Sequence, residues 1–144
     1  MEETTKDKLK IMVIEDEEDI LNLFNDYLSR QGYHVISRYT SGENIIKDLE
    51  THNADVYLID SRLPGNKSGT DVATEILEKY PSAPILFVTA DQHQHRKISN
   101  NPIFYGKNID LLLKPVKLDQ VQRSILNLVN KSKLISNHSV FELV

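Results

Sequence analysis

The chain has no cysteine and no tryptophan, and only five glycines and five prolines among its 144 residues. Without cysteine there is no disulfide, no thiolate nucleophile and no Cys-ligated zinc. No apolar run approaches the roughly 20 residues that span a bilayer, so no membrane association is expected. The opening Met1-Glu2-Glu3-Thr4 has neither the basic nor the apolar region of a secretory signal. A cytoplasmic protein is therefore expected, in which the Asn-x-Ser triplets at Asn66, Asn130 and Asn137 stay idle. Positive charge is also short. Lys and Arg number 17 against 21 Asp and Glu, a net charge of −4. That sign does not suit coating nucleic acid, and no nucleic-acid partner is expected for this chain by itself. No Gly-x-x-x-x-Gly-Lys occurs, which removes a P-loop.

What is present suits one soluble domain with its own core. Apolar runs occur at 11–14 (Ile-Met-Val-Ile), 56–59 (Val-Tyr-Leu-Ile), 85–88 (Ile-Leu-Phe-Val) and 111–113 (Leu-Leu-Leu). None alternates with polar residues, as expected of parallel strands covered on both faces. Val35-Ile36 is a weaker run and suits an edge strand. Helical spacing lies between the runs. Ile20, Leu21, Phe24 and Leu28 form one face, with acids at its start and Gly32 as the expected C-terminal cap. Ile45, Ile46 and Leu49 predict a second helix opening near Ser41. Val72, Ala73, Ile76, Leu77 and Tyr80 predict a third, stopped by Pro81. Val121, Ile125, Leu128 and Val129 predict a last one, to about Lys131. Residues 91–108 are polar and broken by Pro102; a short helix from Gln92 to about Ser99, then a loop, is expected there. Alternating strands and helices imply an α/β fold around a parallel sheet. The expected division is a flexible start over 1–9, a domain over 10–131 and a tail over 132–144. The apolar end of that tail, 140–144, suits packing on the body or on a second copy in a homodimer.

Ligands of open parallel sheets bind beyond the carboxyl ends of the strands. The residues that follow the runs are Glu15 and Asp16, Asp60, Thr89, and Lys114 before Pro115. Carboxylates gathered on one rim repel unless a cation intervenes. An all-oxygen donor set selects a hard ion, and Mg²⁺ is the common one that waits for phosphate oxygens. Lys114 supplies a point charge to an anion, and Thr89 a hydroxyl donor. Such a set suits phosphoryl transfer, with Asp60 as the nucleophile that becomes an aspartyl phosphate. Taken singly, an Asp after a strand is usually a turn or cap residue, and a Lys-Pro or a Thr usually marks a loop. Their joint order carries the reading.

At these residues the sequence resembles the receiver domain of two-component response regulators. The resemblance covers residues 10 to about 131 and rests on Glu15-Asp16, on Asp60 in Leu58-Ile59-Asp60-Ser61-Arg62-Leu63-Pro64-Gly65, on Thr89-Ala90, and on Lys114-Pro115. It implies a doubly wound five-stranded parallel sheet of flavodoxin-like order 2-1-3-4-5 in three α/β/α layers. It implies that Glu15, Asp16, Asp60 and the backbone carbonyl of Arg62 hold Mg²⁺. Asp60 would accept a phosphoryl group from a histidine kinase or a histidine phosphotransfer protein. Lys114 would pair with a phosphoryl oxygen, and Thr89 would move toward it. The Lys114–Pro115 bond would be cis. The protein would not be a conventional enzyme. It would catalyse phosphorylation and dephosphorylation of its own aspartate in a phosphorelay, and switch the binding of a downstream protein.

Departures from the family pattern touch the output side. The position three before Lys114, often aromatic, is Leu111, so the aromatic switch is absent or carried by another residue, such as Phe104 or Tyr105. The loop from Pro64 to Gly69 is one residue longer than usual, and the stretch from Thr89 to Lys114 is longer and more polar. Arg62 and Asp91 stand where the family tunes phosphoryl lifetime; Arg62 would meet the phosphoryl group, a neighbouring carboxylate or solvent. The alternative reading is a receiver-like interaction module that no longer uses phosphate. A haloacid-dehalogenase-type phosphatase needs an Asp where Arg62 stands. A flavodoxin-type FMN protein would place a phosphate against Glu15-Asp16-Glu17-Glu18. His93 and His95 lack a third metal ligand at a readable spacing.

Overall fold

The computed structural model describes residues 9–43, 45–49 and 54–143, with side chains at all of these except 37, 38, 46 and 133–143. The expected polar start falls outside them, apart from Leu9. The elements run β1 (Lys10–Ile14), α1 (Glu18–Arg30), β2 (His34–Tyr39), α2 (Ile45–Leu49), β3 (Val56–Asp60), α3 (Gly69–Lys79), β4 (Ile85–Thr89), α4 (Gln92–Ser99), a single 3₁₀ turn (Pro102–Phe104), β5 (Ile109–Leu113) and α5 (Leu118–Leu143). The sheet is parallel throughout and ordered β2-β1-β3-β4-β5.

Strand side chains alternate between faces, and here the alternation sorts the core into two layers. Met12, Ile14, Tyr57, Ile59, Ile85 and Phe87 pack with residues of α2, α3 and α4. Ile11, Val13, Val56, Leu58, Leu86 and Val88 pack with residues of α1 and α5. The continuous apolar runs of β1, β3 and β4 are thus explained, because both faces of those strands are covered. β5 differs. It is an edge strand and only half-buried, with Leu113 37% exposed. Its leucine run resembles that of a central strand because composition does not report which neighbour is missing.

Helix ends follow local chemistry. Gly32, at φ +96°, lets Tyr33 N–H donate to Leu28 O and Gly32 N–H to Ser29 O, each at 3.1 Å. This is a left-handed cap that glycine accepts without steric cost. Ser68 opens α3 with a capping box, reciprocal with Asp71. α4 spans Gln92–Ser99, as the sequence predicts. Two ends differ from expectation. The described helical residues of α2 begin at Ile45 rather than near Ser41. The last helix does not stop near Lys131 but continues to Leu143, since no Pro or Gly interrupts 118–143.

Candidate functional site

Register carries the sequence-predicted residues to one end of the sheet. β1 pairs Ile14 with Ile59, so Glu15 comes to lie beside Asp60. β4 pairs Thr89 with Leu113, so Lys114 follows directly, and its N–H donates to Thr89 O at 2.6 Å. Parity then decides the side. Glu15 continues the row of Ile11 and Val13, and Asp60 the row of Val56 and Leu58, both on the α1/α5 face. Lys114 follows Leu112 on that face. Thr89 continues the row of Ile85 and Phe87, on the face covered by α4.

Lys114 Nζ lies 3.0 Å from Glu15 Oε1 and 3.3 Å from Asp60 Oδ2. The remaining carboxylate oxygens meet backbone donors. Glu17 N–H donates to Glu15 Oε2 at 3.2 Å, and Arg62 N–H to Asp60 Oδ1 at 3.1 Å. Carboxylate oxygens of Glu15, Asp16 and Asp60 come within 4.8 Å of one another. Glu15 and Asp60 are buried, whereas Asp16 is exposed. Burial, with the hydrogen bond and the charge of Asp60, pushes the Glu15 carboxyl up to about 7. Lys114 and the Glu17 N–H pull it the other way. For Lys114 burial opposes the charge, but contacts with Glu15 and Asp60 outweigh it and hold the ammonium above its ordinary value. Three carboxylates thus face one ammonium. The surplus negative charge and the all-oxygen donors fit a divalent hard cation such as Mg²⁺.

Thr89 is fully buried, and its Oγ1 accepts from Asp91 N–H at 3.3 Å. Arg62 sends its guanidinium to Asp91 Oδ2 at 2.5 Å, which decides among the fates expected for it. Asp91 also accepts from His93 N–H at 2.8 Å. That bond first, and Arg62 with it, holds the Asp91 carboxyl below its ordinary range. The Lys114–Pro115 bond is cis. Of the two aromatics expected to replace the missing one, Phe104 is buried edge-on against Phe87, the ring centres 5.5 Å apart. Tyr105 is exposed, and its hydroxyl donates to Asn100 O at 3.2 Å. His93 and His95 join no metal-competent cluster among the described residues.

Gly69 was not singled out by spacing, yet it shapes the site. A Cβ there would stand 2.1 Å from Asp60 O and 2.7 Å from Ser61 Cα. Its N–H donates to Ser61 O at 3.0 Å. The start of α3 therefore presses directly on the tip of β3. A glycine immediately after a Ser cap was the one available signal.

The family model for the response regulator receiver domain matches residues 11–126. The chain belongs to the response regulator receiver domain family. Similar proteins include two from Bacillus subtilis. The alkaline phosphatase synthesis transcriptional regulatory protein PhoP is 29% identical over 90% of this chain and 52% of its own length. The transcriptional regulatory protein ResD is 30% identical over 88% of this chain and 50% of its own. This receiver domain spans about half or less of the curated relatives it matches. Among solved structures, the receiver domain of a sensor histidine kinase from Pseudomonas aeruginosa PAO1 superposes with a TM-score of 0.72 at 27% identity, covering 85% of this chain and 98% of that one. That structure has a magnesium ion coordinated in its active-site cleft. No described helix of the present chain is long and apolar enough to cross a membrane.

Proposed function

We propose that this receiver domain is a phosphoacceptor switch of a two-component or phosphorelay system, with Asp60 as the acceptor. The observation that carries the reading is Lys114, whose ammonium bridges Glu15 and Asp60 at the mouth of the sheet. An Asp60 oxygen attacks the phosphorus of a phosphohistidine on the partner kinase or phosphotransfer protein. A new O–P bond forms as the P–N bond breaks. The electron pair stays on the imidazole nitrogen, which takes up a proton from solvent. Glu15, Asp16, Asp60 and the backbone carbonyl of Arg62 would hold Mg²⁺. The bound ion would neutralise charge on the transferring oxygens. Lys114 orients and neutralises one phosphoryl oxygen, and Thr89 would swing from the α4 face to bring its hydroxyl toward another.

Beside Lys114 lies an apolar depression of about 410 Å³, floored by Ile20, Phe24, Pro115 and Val116. It supports the docking of the donor protein next to the acceptor. The proposed setting is the cytoplasm, and the outcome is altered affinity for a downstream protein. The second reading, a module that does not use phosphate, has Leu111 in its favour, since the expected aromatic is missing and Phe104 is packed away.

Incubation with Mg²⁺ and acetyl phosphate distinguishes the two. The wild type is expected to gain the mass of one phosphoryl group, and Asp60→Asn none. Identical behaviour of the two proteins would remove Asp60 from its role.

A further inference from the structure

Arg62 links the acceptor strand to α4. Its backbone N–H donates to Asp60 Oδ1 at 3.1 Å, while its guanidinium reaches Asp91 Oδ2 at 2.5 Å. Asp91 is the N-cap of α4, bonded through Oδ1 to His93 N–H and through its own N–H to Thr89 Oγ1. One side chain therefore begins beside the carboxylate at the tip of β3 and ends on the residue that starts α4.

No side chain in the first turn of α4 is fully buried. Ile98, next to the last residue, is the buried side chain of α4, whereas α3 buries residues along its length. The first turns of α4 rest on Asp91 and Thr89. The Arg62–Asp91 pair is itself accessible, with side chains 66% and 33% exposed. Pairs of this kind are weak, and weakness is what an exchangeable contact requires.

We propose that Arg62 is a latch that exchanges partners. In the unmodified protein it holds Asp91 and, through it, the first turn of α4. When Asp60 carries a phosphoryl group, Arg62 turns to that dianion and releases the helix. The latch rests on the reading of Asp60 as phosphoacceptor. The physical reason is acceptor strength. A phosphoryl group presents about two negative charges and three oxygens, and a guanidinium binds such a group through paired N–H donors.

Amide hydrogen exchange on the full chain, read over residues 92–99, tests it. The probe is beryllofluoride with Mg²⁺, and the variants are Arg62→Gln and Asp91→Asn. Asn remains a good N-cap, so that variant removes the ion pair and keeps the helix start. Without the probe, each variant should exchange about two- to fivefold faster over α4, the range an accessible pair supports, and the double variant no faster. The probe should accelerate α4 more in the wild type than in Arg62→Gln, where only the Thr89 contact is left to change. Fluorine NMR of the same samples, with Asp60→Asn as control, reports the adduct independently. No adduct on the wild type overturns the acceptor reading, and the latch with it. An adduct that moves α4 equally in wild type and Arg62→Gln, or leaves α4 unmoved, overturns the latch alone. So does unaltered α4 exchange in both variants without the probe.

Discussion

Asp16 is the exposed member of the acidic cluster and makes no contact with Lys114, which serves Glu15 and Asp60. It adds a third carboxylate to a cluster whose one ammonium is engaged by the other two. Asp16→Asn should therefore stabilise the metal-free fold by about 1 kcal/mol, the screened value for like charges ~4 Å apart. In a domain of this size that is a rise in Tm of about 2–4 °C in EDTA. If the cluster holds Mg²⁺ as proposed, the added ion should raise the Tm of the wild type, because a site assembled only by folding favours the folded state, and that of the variant much less. Equal gains in both would take Asp16 out of the ion's ligand set. Glu15, Asp16, Asp60, Thr89 and Lys114 were legible in the sequence because each follows an apolar run, and register does the rest. The Arg62–Asp91 contact was not, since the side chain had several destinations within reach and only the fold selects one.

At the scale of elements, the contact between β3 and α3 sets how closely a helix start can approach Asp60. Gly69→Ala would drive a methyl group into Asp60 O and Ser61 Cα, both backbone and unable to step aside. The start of α3 must then retreat. The variant should lose about 1–3 kcal/mol in chemical denaturation, as overpacked sites do, and phosphorylate more slowly with acetyl phosphate. Wild-type stability in that variant would show that the helix start moves at no cost. The elements themselves were mostly readable. Ile20, Leu21, Phe24 and Leu28 place α1, and Pro81 ends α3. The polar α4 was expected from alternation and a short 92–99 window, without an apolar face to support it. Composition alone did not give position within the sheet, which came instead with the order 2-1-3-4-5 that the resemblance implies and the structure has. Leu111, Leu112 and Leu113 read as a covered strand, yet β5 has a neighbour on one side only. The end of α5 escaped as well, because a change to polar composition after Lys131 does not stop a helix that meets no Pro or Gly.

Across the whole molecule, the two core layers each contain one buried tyrosine. Tyr57 lies in the layer under α2, α3 and α4, and Tyr33 in the layer under α1 and α5. Burial raises both phenols above their ordinary value of 10, with Tyr27 adding to the effect at Tyr33. At Tyr57 the Ala54 N–H donates to the hydroxyl oxygen and opposes the rise, and the charges of Tyr80 and Asp55 add to it. The folded state thus keeps protons that the unfolded chain releases. This contribution is complete below pH 10 and is lost as pH climbs through the folded values. Stability should first decline as Glu15 ionises near its raised value of about 7; above that step denaturation midpoints should hold to about pH 10 and then fall, with the phenolate absorbance of the two buried tyrosines rising together with unfolding. Early, separate ionisation of all the tyrosines would contradict the packing of both layers.

Asp60 crowns the middle of five strands, flanked by two on either side. Its main chain is therefore braced laterally from both directions. A chemical event at such a point has no freedom to shift its own foundation, so news of it must leave through side chains that lean outward toward less braced neighbours. On one side those neighbours are β4 and then the half-buried edge strand β5.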